Sequence, residues 1–514
     1  MPRSYQMWHE AVSGLPSQIV IKPALIFSKA SLDLSATLVD WYSSTVSHIF
    51  LDITDENETP FLPGQRNLPA LQPVYESLLA AFAVSSFPPV IAMRVHSDAL
   101  PNKSNYLSAQ SDKNIIVLGF PSYYKRVLER QFPKQKQTHL DVLQTPMQPH
   151  KQLLTSTMYK TMETDQKKYN MYRAAIASAL KTITDRDPEI SCISILLIGA
   201  GYGHIIDEIM RCRSEVDDDI EFQVVAIERN PVPAAAVKEG YEADYSCLKV
   251  LNLDTLKASV RLAELGAFDI IVSELIGSFG DNELCPECLS LPQLCSMKSP
   301  DTIMIPSNIT TFVEPIYSPL LHSEWTAATR SRDEFKRLPL IVNPDKVRYF
   351  SANPEHAQEG TKSVYFPWKG IKPRELWSFG FPQGMFKDPE MPMDLISSTT
   401  TMNQRFAEVQ WGNESSESKI NGFMGYFEAV LYGDIVINNL TGSENCLSSW
   451  FPAFFPLGQA LTLPENGTLH ATFSRNTDST SVWYDFSAIT RDESGSALSE
   501  RVTYNVDGSH KIYL

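Results

Sequence analysis

The sequence has little of what a disulfide-bonded, membrane-bound or nucleic-acid-coating protein needs. Its 514 residues hold seven cysteines, an odd number scattered along the chain. No disulfide framework is expected from them, and the thiols read as reduced, as in a cytoplasmic or nuclear protein. Cys285-Pro-Glu-Cys288, with Cys295 nearby, has no second Cys-x-x-Cys to complete a zinc site, so no metal is expected. No apolar run is long enough to cross a membrane. The longest uncharged stretch, Ser77 to Met93, is broken by Ser85-Ser86 and Pro88-Pro89 and reads as a helix followed by a strand. The first ten residues carry no apolar core of the kind a signal peptide needs, so the sequons at Asn308 and Asn439 are read as chance. Basic side chains number 44 against 60 acidic ones, a net charge of -16. That balance argues against nonspecific nucleic-acid binding and suits a basic protein or peptide as partner. A Gly-Lys-Ser/Thr triplet is missing, which excludes a P-loop, and no repeat is present.

At this length two to four domains are expected. Up to about residue 140, Ile19 to Ile21, Ile49 to Ile53, Val90 to Val95 and Ile115 to Leu118 read as parallel strands. Leu71 to Val84 and Tyr123 to Phe132 read as helices between them. Four such units make a partial, TIM-barrel-like α/β domain, too few for a closed eight-stranded barrel. A polar connector with Pro133, Pro146 and Pro149 follows. Tyr169, Tyr172, Ile176 and Leu180 then recur at helical spacing over roughly Asp165 to Thr182. From Cys192 the pattern is β-α-β, with strands at Ile193 to Ile198, Phe222 to Ile227, Leu248 to Leu253 and Asp269 to Ser273, and a helix at Ile205 to Arg213. This predicts a Rossmann-like domain over 141–303. Beyond Ile305-Pro306, alternating aromatic and β-branched residues with many turn residues predict an antiparallel β-barrel or sandwich over 304–514. Arg330 to Ser418 reads as a long excursion from it, expected to serve dimerisation.

The Rossmann-like strands share one property: each ends in a glycine turn or an acid. The first runs into Gly199-Ala-Gly201-Tyr-Gly203, the second ends at Glu228, the third at Asp254 and the fourth at Glu274. In doubly wound sheets this carboxyl edge is where ligands lie. A glycine turn with an acid to accept ribose hydroxyls favours an adenosine-containing ligand. The 27 residues from Gly201 to Glu228 exceed the usual dinucleotide spacing of roughly 20. After Glu274 the chain turns through Gly277 and Gly280 to Glu283, so that both carboxylates can face one point. Two converging carboxylates fit the planar five-donor fork of a guanidinium. The competing reading is a pair of solvated loop acids; the strand-end position and the glycines favour the clamp. Hydride chemistry gives such a loop no task.

Gly199-Ala-Gly-Tyr-Gly, Glu228-Arg-Asn-Pro, Ser273-Glu-Leu-Ile-Gly-Ser-Phe-Gly-Asp-Asn-Glu-Leu-Cys-Pro-Glu-Cys-Leu289, Gly425-Tyr-Phe-Glu-Ala-Val-Leu-Tyr432, Ser449-Trp-Phe-Pro452 and Val482-Trp-Tyr484 resemble the type II protein arginine methyltransferase family. The resemblance covers about Thr145 to Leu514. It implies transfer of methyl groups from S-adenosyl-L-methionine to arginine in Gly/Arg-rich proteins such as histones and splicing or RNA-binding proteins, giving monomethyl- and symmetric dimethylarginine. It implies catalytic roles for Glu274 and Glu283, and cofactor contacts at Tyr159, Lys168, Tyr169, Gly199, Gly201, Glu228, Asp254 and Thr255. It puts Met162, Ser449, Trp450 and Phe451 at the substrate, with the alternative that Trp450 is simply β-domain core. A homo-oligomer, a WD-repeat partner and a cytoplasmic and nuclear location are family expectations, the WD-repeat partner weakened by the short N-terminal region. Two residues depart from the family pattern. Met162 stands where that family carries a Phe against the substrate arginine, the residue type of asymmetric type I enzymes, which leaves asymmetric or monomethyl product open. Tyr202 replaces an Arg in the glycine turn, which keeps a non-catalytic scaffold for arginine-rich tails in view.

Overall fold

A computed structural model of the chain describes residues 143–148, 153–216, 219–257, 259–329, 339–342, 372–383, 402–414, 417–440, 443–478, 480–498, 500–505, 508 and 511–513. Before these it describes 24–27, 46–52, 61–63, 69–71, 75, 79, 90–94 and 123. In this first part the strands are β1 (Ala24–Phe27), β2 (His48–Asp52), β3 (Phe61–Pro63), β4 (Pro69–Leu71) and β5 (Val90–Arg94). β1, β2 and β5 form a parallel sheet in that order, and β3 with β4 an antiparallel pair. The strands expected near 49–53 and 90–95 are therefore present, while those at 19–21 and 115–118 lie outside the described residues. β1 was not expected. Leu71 ends a strand instead of opening a helix; positions 75, 79 and 123 are helical, and the rest of both expected helices lies outside the described residues.

The central sheet is parallel throughout, in the order β11, β10, β7, β8, β9. Its strands are β7 (Cys192–Ile198), β8 (Glu221–Glu228), β9 (Leu248–Asn252), β10 (Ile270–Ser273) and β11 (Ile303–Ile305). β7 is buried at every position after Cys192, as a strand covered on both faces must be. Helices α1 (Ser156–Met162) and α2 (Gln166–Arg186) precede the sheet. α3 (His204–Arg213), α4 (Pro231–Tyr241), α5 (Ser259–Glu264) and α6 (Cys285–Cys295) are interleaved with its strands. Asp165 caps α2, its carboxylate accepting the Lys168 N–H at 3.2 Å. The helix expected over roughly Asp165 to Thr182 is present and runs on to Arg186. Its apolar stripe of Tyr172, Ile176 and Leu180 is buried. The Tyr172 hydroxyl donates to the Ser273 carbonyl at 2.9 Å, tying the helix to the end of β10.

Past this sheet come β12 (Asn308–Ile316), α7 (Pro319–Thr329), β13 (Leu340–Val342), β14 (Arg374–Gly380), β15 (Arg405–Gly412), β16 (Ser418–Tyr432), β17 (Ile435–Asn438), β18 (Ala453–Leu463), β19 (Thr468–Thr477), β20 (Ser481–Arg491), β21 (Val502–Tyr504) and β22 (Ile512–Tyr513). One antiparallel sheet runs β14, β12, β16, β18, β13, closed by β6 (Leu143–Gln144), with β17 on β16. The other runs β15, β19, β20, β21, with β22 on β20. Three expectations are corrected here. Leu143–Gln144, in the connector, is a sheet strand. The excursion from Arg330 to Ser418 supplies β13, β14 and β15, because Leu376, Trp377, Phe379, Val409 and Trp411 are apolar enough to be buried on sheet faces. The region also holds a helix, α7, where no helical period was read.

The two antiparallel sheets meet through aromatic rings. Phe473 on β19 lies 5.3 Å from Phe423 and 5.7 Å from Phe455 on the facing sheet, both edge-on, and stacks 5.7 Å from Phe486 of its own sheet. Each ring buries a large apolar surface in a preferred geometry. Phe473→Ala is expected to lower unfolding stability by about 3–5 kcal/mol. Phe406→Ala, at a ring 67% exposed, should change it by no more than about 0.5 kcal/mol. Denaturant midpoints of the two variants check the contrast.

Candidate active site

A pocket opens at the carboxyl edge of the parallel sheet, lined by the ends of β7, β8, β9 and β10, by α1 and α2, and by the turn before β18. At its floor Gly199, Gly201 and Gly203 all have positive φ. At Gly199, φ is 81° and an added Cβ would lie 3.0 Å from Leu275 Cδ2, so only glycine lets the turn pass this close to the loop after β10. Glu228 ends β8 with its carboxylate facing that turn. Oε2 accepts the Gly201 N–H at 2.9 Å, Oε1 accepts the Asn230 N–H at 2.7 Å, and the Tyr159 hydroxyl lies 3.4 Å away. Burial raises its pKa above the usual carboxylate range, although the Asn230 and Gly201 N–H groups act the other way. Asp254 and Thr255 line the same pocket after β9.

α1 and the start of α2 cover this floor. Tyr159 and Tyr202 meet edge-on with ring centres 5.4 Å apart, and the hydroxyls of Tyr202 and Ser156 are 2.7 Å apart. Tyr202 thus joins the glycine turn to α1. Tyr169 stacks on His204 at 4.9 Å. Lys168 is 1% exposed, and its ammonium is paired with Glu274 Oε1 at 2.8 Å, 4.7 Å from the Tyr169 ring and 5.3 Å from that of Trp450.

The loop after β10 folds back on itself. Gly277 and Gly280 exchange backbone hydrogen bonds of 2.9 and 2.8 Å, and Gly280 has φ 76° with Ile309 Cγ2 only 2.8 Å from where a Cβ would be. This return brings Glu283 into the pocket that Glu274 lines. The two carboxylates differ in their surroundings. Glu274 has Lys168, whereas Glu283 makes no hydrogen bond or ion pair with any described residue. Removal from water, and after it the charge of Glu274, push the Glu283 carboxyl up to about 8.

Trp450 closes the pocket from the β region. Its indole N–H donates to the Ile276 carbonyl at 2.7 Å, and its ring packs edge-on to Phe427 at 5.3 Å. Trp450 is thus both a buried β-region residue and a pocket wall. Ser449 and Ser448 are held by Asp165, whose Oδ2 accepts both backbone N–H groups at 2.9 Å and the hydroxyls at 2.9 and 3.2 Å. These bonds outweigh burial and lower the Asp165 pKa. Met162 lines the pocket, and its carbonyl is 3.4 Å from the Ser449 hydroxyl.

The structure therefore brings together Tyr159, Met162, Lys168, Tyr169, Gly199, Gly201, Glu228, Asp254, Thr255, Glu274, Glu283, Ser449 and Trp450 around one pocket. Phe451 is not in its wall; its carbonyl takes a 3.4 Å bond from Asn439, two residues before β18 begins. The sequence reading missed Asp165 as a binder of the Ser449 turn and Glu163, whose carboxylate is 3.5 Å from His204 Nε2. Cys285 and Cys288 on α6 are not joined in a disulfide, and among the described residues no group of three His, Cys, Asp or Glu could hold a metal.

Comparison with known proteins agrees with the motifs. Residues 130–305 match the family profile described as PRMT5 arginine-N-methyltransferase, and residues 308–510 match the PRMT5 oligomerisation domain. The chain is 32% identical over 384 residues to protein arginine N-methyltransferase skb1 of Schizosaccharomyces pombe, covering 72% of this chain and 55% of that protein. It is 29% identical over 447 residues to protein arginine N-methyltransferase 5 of Oryza sativa subsp. japonica, covering 83% and 61%. With protein arginine N-methyltransferase 5 of Xenopus laevis it shares 30% over 357 residues, covering 67% and 49%. The chain thus spans about half to three-fifths of the length of these relatives. Two profiles of one family, meeting where the parallel sheet gives way to the antiparallel ones, show that the chain belongs to the protein arginine N-methyltransferase 5 family.

Proposed function

We propose that this chain is an S-adenosyl-L-methionine-dependent protein arginine N-methyltransferase that forms monomethyl- and symmetric dimethylarginine on Gly/Arg-rich proteins. The observation that carries the reading is Glu283: a carboxyl without a partner among the described residues, raised to about 8, in one pocket with a second carboxylate and an indole ring. Lys168 balances Glu274, which leaves Glu283 without a counter-charge, and a guanidinium supplies one that is planar, always charged and rich in donors. The pocket's donor set fits the cofactor. Glu228 presents a carboxylate suited to a ribose diol, and Gly199 and Gly201 bring the backbone to the pocket without a side chain. S-adenosyl-L-methionine, when bound, supplies the methyl group on a sulfonium.

The chain's own residues then do the positioning. Glu274 keeps Oε1 on Lys168 and has Oε2 for the guanidinium; Glu283 takes the other edge of the fork. Together they fix the plane and aim one terminal nitrogen, while the Trp450 ring packs against the cation and keeps water out. The proton that leaves the methylated nitrogen has two carboxylates within reach. Most of the acceleration on this reading is orientation and charge placement. Self-association through the 308–510 region belongs to the same reading, as do a WD-repeat partner and a cytoplasmic and nuclear location.

A second product is favoured by one residue. Met162 is slimmer and more pliable than phenylalanine and lines the pocket, which supports asymmetric or monomethyl-only product. Methyl-labelled cofactor and a Gly-Arg-rich peptide, followed by hydrolysis and separation of methylarginines, test both readings. Symmetric dimethylarginine is expected; asymmetric or only monomethyl product would assign the outcome to Met162. Cofactor binding without transfer would leave an arginine-tail scaffold.

Glu274→Gln and Glu283→Gln should each slow transfer by roughly 100-fold or more, with cofactor affinity retained. Near-normal turnover in both would contradict the clamp. The raised Glu283 pKa adds a pH signature. Below about 8 the free group holds its proton, and a bound guanidinium favours the charged form. Peptide binding should therefore expel up to about one proton at pH 7, and affinity should rise by up to about tenfold per pH unit toward 8, then level off. Calorimetry in buffers of different ionisation enthalpy reads this release, which should vanish in Glu283→Gln; equal release in both proteins would contradict the assignment.

A further inference from the structure

The two glutamates are placed by different parts of the chain. Glu274 follows directly on β10, in the interior of the parallel sheet, whereas Glu283 lies in a stretch between Ser273 and Cys285 with no strand or helix to hold it. Its carboxylate makes no bond that would fix its direction, so its neighbours in the chain must do so.

Those neighbours are gripped by one guanidinium. Arg475, on β19, is fully buried. Its Nε is 3.0 Å from Asp281 Oδ2, an ion-pair contact without a hydrogen bond, one terminal nitrogen donates to the Asp281 carbonyl at 3.5 Å, and the two terminal nitrogens each donate to an oxygen of Glu287 at 2.9 Å. Asp281 stands two residues before Glu283 and Glu287 four residues after it, so the fork clasps the chain on both sides. Each carboxylate is completed from the β region. Tyr484 donates to Asp281 Oδ1 at 2.6 Å and Trp377 Nε1 to Oδ2 at 2.8 Å, while Asn403 donates to Glu287 Oε1 at 3.1 Å. Burial alone would lower the Arg475 pKa, but Glu287 and Asp281 outweigh it and keep the group charged. Between the two anchors Leu284 adopts φ 69°, a left-handed conformation that a leucine holds only when its surroundings impose it.

A buried ion cluster of this kind is poor evidence of stabilisation, since well-packed apolar residues often serve as well. Its cost asks for a positional reason. The contact between the loop and the β region already has an apolar plug in Phe279, ringed by Trp377, Phe455 and Tyr484. What the plug does not do is set the chain on both flanks of Glu283.

We propose that Arg475 is a positioning residue for the second glutamate: through Asp281 and Glu287 it aims Glu283 into the pocket, making β19 part of the guanidinium site. The identity of the ligand rests on the methyltransferase reading; the geometry does not. Arg475→Lys keeps the charge and loses the fork, and one ammonium does not clasp both carboxylates in this way. Peptide affinity should fall at least tenfold, while S-adenosylhomocysteine affinity, set by residues around Glu228, stays within about twofold. The deciding readout is a double-mutant cycle on peptide affinity. In a Glu283→Gln background Arg475→Lys should cost less than twofold, since the group it positions is already gone. Tyr484→Phe, which removes one bond to Asp281, should show a smaller loss with the same dependence on Glu283, and decides the matter alone if Arg475→Lys gives no cooperative melt. Losses that add fully in the Glu283→Gln background, or wild-type affinity in the variants, overturn the proposal. If the wild type binds no arginine peptide, the methyltransferase reading fails. Arg475 is then decided by the infrared carboxyl titration that distinguishes wild type from Glu283→Gln: a shift in the folded Arg475→Lys or Tyr484→Phe variant supports the positioning role, and no shift overturns it.

Discussion

The docking of the double-glutamate loop into the antiparallel sheets is the interaction on which the rest of the structure depends. The loop leaves the parallel sheet at Ser273 and is met at successive points from the other region. Trp450 binds the Ile276 carbonyl, Asn439 the Ser278 carbonyl at 2.8 Å, three aromatic rings surround Phe279, and Arg475 clasps Asp281 and Glu287. Neither region makes the site by itself. The parallel sheet supplies Glu228, Asp254 and Glu274; the direction of Glu283 and the pocket wall at Trp450 come from residues more than 150 positions further on.

That division explains why two identical side chains in one loop behave differently. Glu274 is balanced by the buried Lys168, a pairing that desolvation makes necessary for both groups. Glu283 has no such partner, and the loss of water raises its pKa until a cation arrives. A protein gains nothing in stability from holding a carboxyl this way. Binding a cation does gain, because the Glu283 carboxyl has already given up much of its hydration.

Much of the nucleotide-facing half was legible in the sequence, because its signals are local. A strand running into Gly199-Ala-Gly-Tyr-Gly203 and acids at the ends of β8 and β9 are each contained within a few residues. The helical stripe from Tyr169 to Leu180 and the return through Gly277 and Gly280 are local too. What was not legible depends on distant pairing. Asp165 meets Ser449 across 284 positions, and Arg475 meets Glu287 across 188. Arg330 to Ser418 was read as an excursion because it is charged at its start and rich in Pro later, and only the sheets reveal which faces of Trp377 and Trp411 are covered. Phe451 was placed at the substrate by its motif, yet it is not in the pocket wall, and its carbonyl takes a bond from Asn439 instead.

Native-state hydrogen exchange over residues 276–287 tests the central claim most directly. Here Gly277, Phe279, Gly280, Asp281 and Leu284 all donate backbone N–H bonds within the loop, and the β region covers them. The account predicts that this segment exchanges as slowly as β7 and β10, opening only when the two regions separate or the protein unfolds globally. Exchange at the rate of an exposed loop, while β7 and β10 stay protected, would contradict it.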